Sequence, residues 1–414
     1  MGVFGADAME TVVMHIDWPD RYEFFKRMLP ALDSLNLKTI FLTNKLALHR
    51  RAIRQGIESE LITGRSRCHN VDLANTREVL SQALSDSEAQ RLYSAARGAI
   101  ERIVARGNSL RAVFIWNGSG VAGKSLRDFC QCSGIDQLYF EISNLPGKLF
   151  VDGGGVNARS WLAEDIAILD HLQADEGEFQ HWLDKYLQKK LAISTLPQAK
   201  ILDQVSYRDT LMNWLGFRLG RIPTDDHTSL LAKLFNKKKR KLPMDLDEPP
   251  ANDIPFIFFP MQVSNDSQIL LNSDVDNSEA IRFAADLARR EKCQLLVKPH
   301  PAESNMQEIQ QILTLKKELG FYLVADNTLD LIRRSHSVVS INSTVGLEAI
   351  LLGKHVIFLG RTFYNHFYDR KRLAQYVLAY LLDIDYFSSE TMHANEVGHL
   401  ISRLAFNREY SALR

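Results

Sequence analysis

The sequence has little cysteine, no excess of charge of either sign and no long apolar run. Its four cysteines, at 68, 130, 132 and 293 of 414 residues, include no CxxC pair. A zinc ribbon or a disulfide framework is therefore not expected, and the thiols read as reduced cytosolic ones. Lysine and arginine number 50 against 50 aspartates and glutamates, so the basic excess of a general nucleic-acid binder is missing. No run approaches 18 apolar residues, and the opening MGVFGADAME lacks the charged and apolar regions of a signal peptide. These absences predict a cytoplasmic protein without a membrane-spanning helix. What is present is an ordinary globular composition, 45% hydrophobic and 24% charged, in a chain long enough for two or three cores.

Short β-branched runs at 12–16, 39–42, 112–116 and 138–140 predict strands, with helices over 22–35 and 125–132. The pattern restarts after residue 250. Strands are expected at 256–259 (FIFF), 294–297, 322–324, 338–341 and 355–359, and helices over 278–290, 329–334 and 344–352. Such alternation means parallel strands joined by crossover helices. The expected fold class is α/β, with two Rossmann-like domains facing a cleft and ligands at the carboxyl ends of the strands. The expected boundaries are a first domain at 1–235, a basic and proline-containing linker at 236–252, a second domain at 253–390 and a helical tail at 391–414.

Residues 118–125 read GSGVAGKS, a literal match to the phosphate-cradling G-x-x-x-x-G-K-[ST] pattern between a strand and a helix. Its context is poor. Some 110 residues with strands of their own precede it, and the next strand ends in Glu141 instead of a magnesium-binding aspartate. A glycine-rich turn lining the cleft is the preferred reading, and an ATP-dependent enzyme the alternative.

Three segments of the second half stand where a nucleotide site would be built. QVSNDSQI (262–269) follows a strand and carries Asp266, either a nucleophile or base, or a helix cap. LVKPHPAE (296–303) ends a strand at Lys298 and holds His300 between two prolines, a pair suited to phosphate or carboxylate. VVSINSTVGLEAILL (338–352) runs from a strand through Asn342, Ser343 and Thr344 into a helix, whose N-terminus suits an anion; Glu348 lies one turn in. In the first half Glu141 ends a strand and opens EISNL, followed by VDGGGVN (151–157). A carboxylate there could pair with Asp266 across the cleft.

In this order, YFEISNLPGKLFVDGGGVN (139–157), QVSNDSQI, VKPHP (297–301) and VVSINSTVGLEAILLGKHVIFLG (338–360) resemble the capsule polysaccharide synthesis family, which includes bacterial β-Kdo glycosyltransferases. The resemblance implies a GT-B-like transferase that uses CMP-Kdo and retains configuration, with an acceptor-side first domain and a CMP-binding second one. It implies Asp266 as nucleophile, Glu141 as acid/base and His300 as a contact to the donor phosphate or Kdo carboxylate. Ser343, Thr344 and Glu348 would hold CMP, with Asn265, Ser267, Gln268, Lys298 and Asn342 also on the donor side. Ser143, Asn144 and Asn157 would face the acceptor. Some capsule-initiating members carry Glu-Gly-Tyr and a nearby arginine after the first glutamate, where this chain has Ile142, Ser143 and Asn144 and no arginine. The acceptor is thereby left open among a lipid, a Kdo-primed lipid and the end of an O-antigen or capsule chain. No metal or other cofactor is expected: a D-x-D metal motif is read as absent, which suits a CMP donor whose single phosphate needs no metal clamp.

One local charge excess remains. Lys233, Lys237, Lys238, Lys239, Arg240 and Lys241 adjoin Leu230, Leu231, Leu234 and Phe235. The patch reads either as a solvated linker or as a contact with an anionic membrane surface, which would make the protein peripheral at the inner membrane. A non-catalytic scaffold of a polysaccharide assembly complex is the third functional reading, against which the joint presence of Asp266, Glu141 and His300 speaks.

Overall fold

A computed structural model describes residues 9–64, 70–143, 145–192, 207–220, 222–223, 244–250 and 254–412. The chain divides into two compact units. The first comprises Met1–Asp165, Ile193–Phe235 and Val377–Arg414, the second Ile166–Ala192 and Asn236–Tyr376.

The first unit is built on strands β1 (Glu10–His15), β2 (Leu37–Thr43), β3 (Ser59–Leu61), β4 (Leu110–Trp116), β5 (Asp136–Ile142) and β6 (Leu149–Asp152). They lie in the order β3-β2-β1-β4-β5-β6; all neighbours are parallel except β6, which runs antiparallel to β5. Strand order reverses between β1 and β4, which makes the crevice beyond their carboxyl ends the natural ligand position. Helices α1 (Pro19–Lys26), α2 (Asp86–Ala105) and α3 (Val121–Ser133) serve this sheet. The core is unusually aromatic: Phe24, Phe25, Phe114, Trp116 and Phe140 meet mostly edge to face, as in the 5.5 Å Phe24–Trp116 pair. Each such pair adds about 0.5–1.5 kcal/mol beyond its buried area.

In the second unit the strands are β7 (Phe256–Pro260), β8 (Gln294–Lys298), β9 (Tyr322–Leu323), β10 (Ser337–Ser340) and β11 (Val356–Phe358), in the order β11-β10-β7-β8-β9 and all parallel. Here the order reverses between β10 and β7. Parallel strands covered by helices need both faces apolar, which explains the FIFF and VV runs. The helices used below are α4 (Glu176–Ala192), α5 (Ser267–Asn272), α6 (Asn277–Glu291) and α7 (Thr344–Leu351).

Both sheets agree with the Rossmann-like expectation and supply the domain content of a GT-B fold. The boundaries differ from those expected. The C-terminal helix (Ala394–Ala412) is no separate tail: its Val397, Leu400 and Leu404 are buried in the aromatic core of the first unit. Residues 377–390, expected in the second domain, also pack with the first, and Leu149 and Leu382 exchange backbone hydrogen bonds of 2.9 and 3.0 Å. Conversely, 166–192 belongs to the second unit, where Asp170 pairs with Arg372 at 2.9 Å. Apolar stripes seek the nearest open sheet face, whatever their position along the chain. The helix expected over 22–35 is two helices, because Pro30 lacks an N–H and sits in the first turn of the second (Leu29–Ser34). No described helix is long and apolar enough to cross a membrane. The expected linker contains the basic run Lys237–Lys241, which lies outside the described residues, as does Asn144.

Candidate functional site

Strands β10, β7 and β8 are adjacent, so the loops at their carboxyl ends gather at one edge of the second sheet. These loops carry Asn342 to Thr344, Gln262 to Asp266 and Lys298 to Glu303. Buried side-chain amides hold them together. Gln262 donates to Asn342 Oδ1 at 3.0 Å and accepts from its backbone N–H at 3.2 Å. Asn342 Nδ2 donates to the carbonyls of Gln268 (2.9 Å) and Asn272 (3.2 Å). Asn277 donates to the carbonyl of Gln262 and accepts from its N–H. Buried amides are tolerated only when satisfied, and here that condition fixes the loop geometry. Asn342 therefore positions the loops.

Asp266 caps α5, its Oδ1 accepting from Gln268 N–H at 2.8 Å. Burial raises its pKa above the usual aspartate value, against the pull of that N–H and of His300. Burial also lowers the pKa of His300, which the charges of Asp266 and Glu303 partly restore. Its Nδ1 accepts from Ala302 N–H at 3.1 Å, so the neutral ring carries its proton on Nε2. Asp266 and His300 thus share one electrostatic environment, each shifting the other's pKa.

Glu303 was not singled out in the sequence, yet it ties the two loops. Its Oε2 accepts from Ser264 N–H, and its Oε1 from the N–H groups of Ser304 and Asn305, all at 2.7 Å. Burial alone would raise its pKa, but these N–H donors outweigh burial and hold the carboxyl below the usual range. The only sequence signal was a glutamate three residues after the histidine.

Among the remaining donor-side candidates, Ser343 caps α7 by accepting from Val345 N–H at 3.2 Å, and Thr344 is the first residue of that helix. Ser267 starts α5 and Asn265 is exposed just before it, while Gln268 Oε1 accepts from Asn272. Two residues are already engaged elsewhere. Lys298 donates to the Asp326 carbonyl at 2.6 Å and to Thr328 Oγ1 at 2.9 Å, so it braces the loop after β9. Buried Glu348 is ion-paired with Lys190 of α4, with the Tyr186 hydroxyl alongside. Lys190 had no sequence signal because α4 is distant in the chain.

In the first unit Glu141 stands near the end of β5, where it accepts from the Asn117 side chain and from Ile142 N–H at 3.1 Å. Ser143 Oγ accepts from Leu145 N–H. Asn157 opens a short 3-10 turn with φ of 53°, and its carbonyl accepts from Ser160 Oγ. The VDGGGVN turn is organised by buried Asp152, whose Oδ1 accepts from the N–H groups of Gly154, Gly155 and Trp161. A side chain at Gly154 would come within 2.3 Å of the Trp161 ring, which accounts for glycine there.

The GSGVAGKS turn is not a phosphate cradle. The carboxylate of Glu78, 4% exposed, accepts from Val121 N–H at 2.9 Å and so fills the anion position at the N-terminus of α3. Lys124 pairs with Asp128 at 3.1 Å, and Ser125, fully buried, donates to the Tyr93 carbonyl. Lysine and serine are thus both turned to structural work.

Contrary to the expected absence of a D-x-D motif, three such tripeptides occur, at 245–247, 274–276 and 383–385, and at least one aspartate of each has a partner within the fold. Asp247 accepts from Lys316 and Leu323 N–H, Asp274 pairs with Arg361 while Asp276 caps α6, and Asp383 pairs with Lys148. At the opposite edge of the second sheet, Glu291, Cys293 and His336 bring three potential ligand atoms within 4.8 Å of one another.

The family profile described as "Capsule polysaccharide biosynthesis protein" matches residues 100–367. The chain belongs to the capsule polysaccharide biosynthesis family. It is 34% identical over 136 residues to Protein FixF of Sinorhizobium fredii, a match covering 31% of each protein, so less than a third of that relative's length is spanned. Similar solved structures include two from Thermosulfurimonas dismutans. The KpsC β-Kdo 2,7 transferase has a TM-score of 0.46 and 15% identity, covering 95% of this chain and 99% of that one. The KpsC β-Kdo 2,4 transferase has a TM-score of 0.40 and 17% identity, over 70% and 87%.

Proposed function

We propose that the protein is a retaining glycosyltransferase that moves Kdo from CMP-Kdo to a glycan or glycolipid acceptor of a bacterial surface polysaccharide. The observation that supports this reading best is that Asp266 and His300, close enough for each to shift the other's pKa, both stand at the carboxyl edge of a parallel sheet in a chain of this family.

In the proposed reaction Asp266 attacks the anomeric carbon of Kdo. The bond to the CMP phosphate breaks, and its electron pair leaves with the phosphate oxygen. The developing charge is met by His300 Nε2–H and by the positive end of the α7 dipole, with the hydroxyls of Ser343 and Thr344 at that terminus. Glu141 then takes the proton of an acceptor hydroxyl, whose oxygen displaces Asp266 from the anomeric carbon; two inversions retain configuration. Asn265, Ser267 and Gln268 are the nearest chain neighbours of the nucleophile. The single phosphate of CMP is neutralised by these protein donors, so no metal enters the scheme.

Asp266→Ala should lose several orders of magnitude in turnover of CMP-Kdo, while CMP still raises the melting temperature as it does in the wild type. Near-wild-type turnover in this variant would remove Asp266 from the mechanism, and absence of any CMP effect on the wild type would remove the donor.

A further inference from the structure

The amino-terminal edge of the second sheet, opposite the candidate site, carries a cluster that the scheme above does not use. Glu291 is the last residue of α6, Cys293 immediately precedes β8 and His336 immediately precedes β10. Strand β7 lies between β8 and β10, and its start fastens both neighbours. Gln294 N–H donates to the Pro255 carbonyl at 2.9 Å, and His336 N–H to that of Phe256 at 2.8 Å. Cys293 N–H donates to the Ala288 carbonyl at 2.9 Å, and Lys292 takes a φ of 55°, so the chain turns sharply between Glu291 and Cys293. One atom from each residue, a carboxylate oxygen, the thiol sulfur and a ring nitrogen, lies within 4.8 Å of the other two. His336 Nε2 and Glu291 Oε2 are 3.5 Å apart. That is longer than the ordinary N–H···O range of about 2.7–3.2 Å. It is close to the ~3.4 Å between two ligands that each stand about 2.0–2.1 Å from one tetrahedral ion. Cys293 is half-buried and the other two residues are exposed, so an ion can enter from solvent.

We infer that Glu291, Cys293 and His336 form a zinc site, with water as the fourth ligand. A thiolate and an imidazole select a borderline-soft ion over magnesium or calcium, which take oxygen ligands. The carboxylate and the near-tetrahedral spacing favour zinc(II) over copper(I). On binding, the S–H bond of Cys293 gives way to an S–Zn bond and the proton leaves to solvent. Burial and the charge of Glu291 disfavour the bare thiolate, and the two positive charges of the ion answer thiolate and carboxylate together. The steps along β8 from Cys293 to Lys298 span about 16 Å, so the ion stays clear of the candidate reaction. It clamps the end of α6 to the start of β10 across β7. The inference does not depend on the transferase reading.

The test uses the untagged, reduced full chain, stripped with a chelator and titrated with cobalt(II) as the spectroscopic counterpart of zinc. The wild type should bind cobalt with a sulfur-to-cobalt absorption in the near ultraviolet and the intense visible bands of four-coordinate cobalt. An equivalent of zinc should bleach both. Cys293→Ser should lose the near-ultraviolet band, whereas the double variant Cys68→Ala/Cys132→Ala should keep it. Glu291→Gln and His336→Gln should each weaken zinc at least about tenfold in competition with a chromophoric chelator, since even the outer partners of metal ligands are worth about 10–100-fold. Zinc should also raise the melting temperature of the wild type and leave that of Cys293→Ser unchanged. If Cys293→Ser does not fold, the exposed His336→Gln carries the test. No cobalt band in the wild type, a band that survives in Cys293→Ser or vanishes in the double variant, or unchanged zinc affinity in Glu291→Gln and His336→Gln would overturn the inference.

Discussion

Replacing Glu303 by glutamine isolates what one buried carboxylate does for the candidate site. In the folded protein Oε1 accepts two backbone N–H groups and Oε2 accepts a third, from Ser264 in the loop that leads to Asp266. Glutamine keeps one oxygen, which would remain on the side with two donors. Its amide nitrogen would then face the Ser264 N–H, donor against donor. Losing that charge-assisted bond and leaving a buried N–H unmet costs about 2 kcal/mol. For a unit of this size that corresponds to roughly 4–8 °C in melting temperature. The sign with pH follows from the carboxyl being held below its ordinary range. Its stabilisation is complete above the unfolded value near 4.3 and disappears as pH falls through the lower folded value. The wild-type advantage over Glu303→Gln should thus be full at pH 7 and shrink below about pH 4. Calorimetry across that range, with hydrogen exchange read at the Ser264 amide, is the assay. A gap under about 1 °C at pH 7, or one that does not narrow in acid, would refute the reasoning. Turnover should fall as well, because the loop bearing Asp266 loses its tie to the histidine loop.

Burial raises the carboxyl of Asp266, so the acid limb of kcat/KM should lie above the ordinary aspartate value of about 3.9; a rate that stays flat down to pH 4 would contradict an ionised Asp266 as nucleophile. Lys124→Ala should leave transfer within about tenfold and stability within about 1 kcal/mol, because the residue makes only a partly exposed pair with Asp128. An essential Lys124, together with ATP hydrolysis by the wild type, would restore the phosphate-cradle reading.

The strands were legible because a parallel sheet covered on both faces demands uninterrupted apolar runs, and FIFF, LLV and VV announce β7, β8 and β10. Strands β3 and β6 were not, since three- and four-residue edge strands carry too few side chains for a period to show. Helix Met306–Leu319 was missed behind the VKPHP loop, although Asn305 caps it. At the site, Asp266 and His300 were legible because polar residues and prolines interrupt an apolar pattern at strand ends. What could not be read was engagement. Nothing local to Lys298 announces that Asp326 and Thr328 hold its ammonium, and nothing near Glu348 announces Lys190, 158 positions earlier. The P-loop match shows the converse: the motif is intact in letters, and a single carboxylate from residue 78 occupies the place where phosphate would sit.

The packing of the C-terminal segment has a consequence for biosynthesis. Tyr386 lies 4.9 Å from the Trp116 ring and 5.0 Å from Phe24, and Val397, Leu400 and Leu404 close the same core. On a ribosome the first six strands emerge early, yet the residues that cover their aromatic face are translated only after every strand of the second unit. The nascent chain must therefore carry an uncovered patch of Phe24, Trp116 and Phe140 through most of its synthesis, a period in which exposed apolar surface invites aggregation or chaperone capture. The second unit, whose last segment ends at Tyr376, can close before the first does. Order of folding would then run against order of translation, and a nonsense mutation just ahead of Ala394 would strand the unit whose strands were made first.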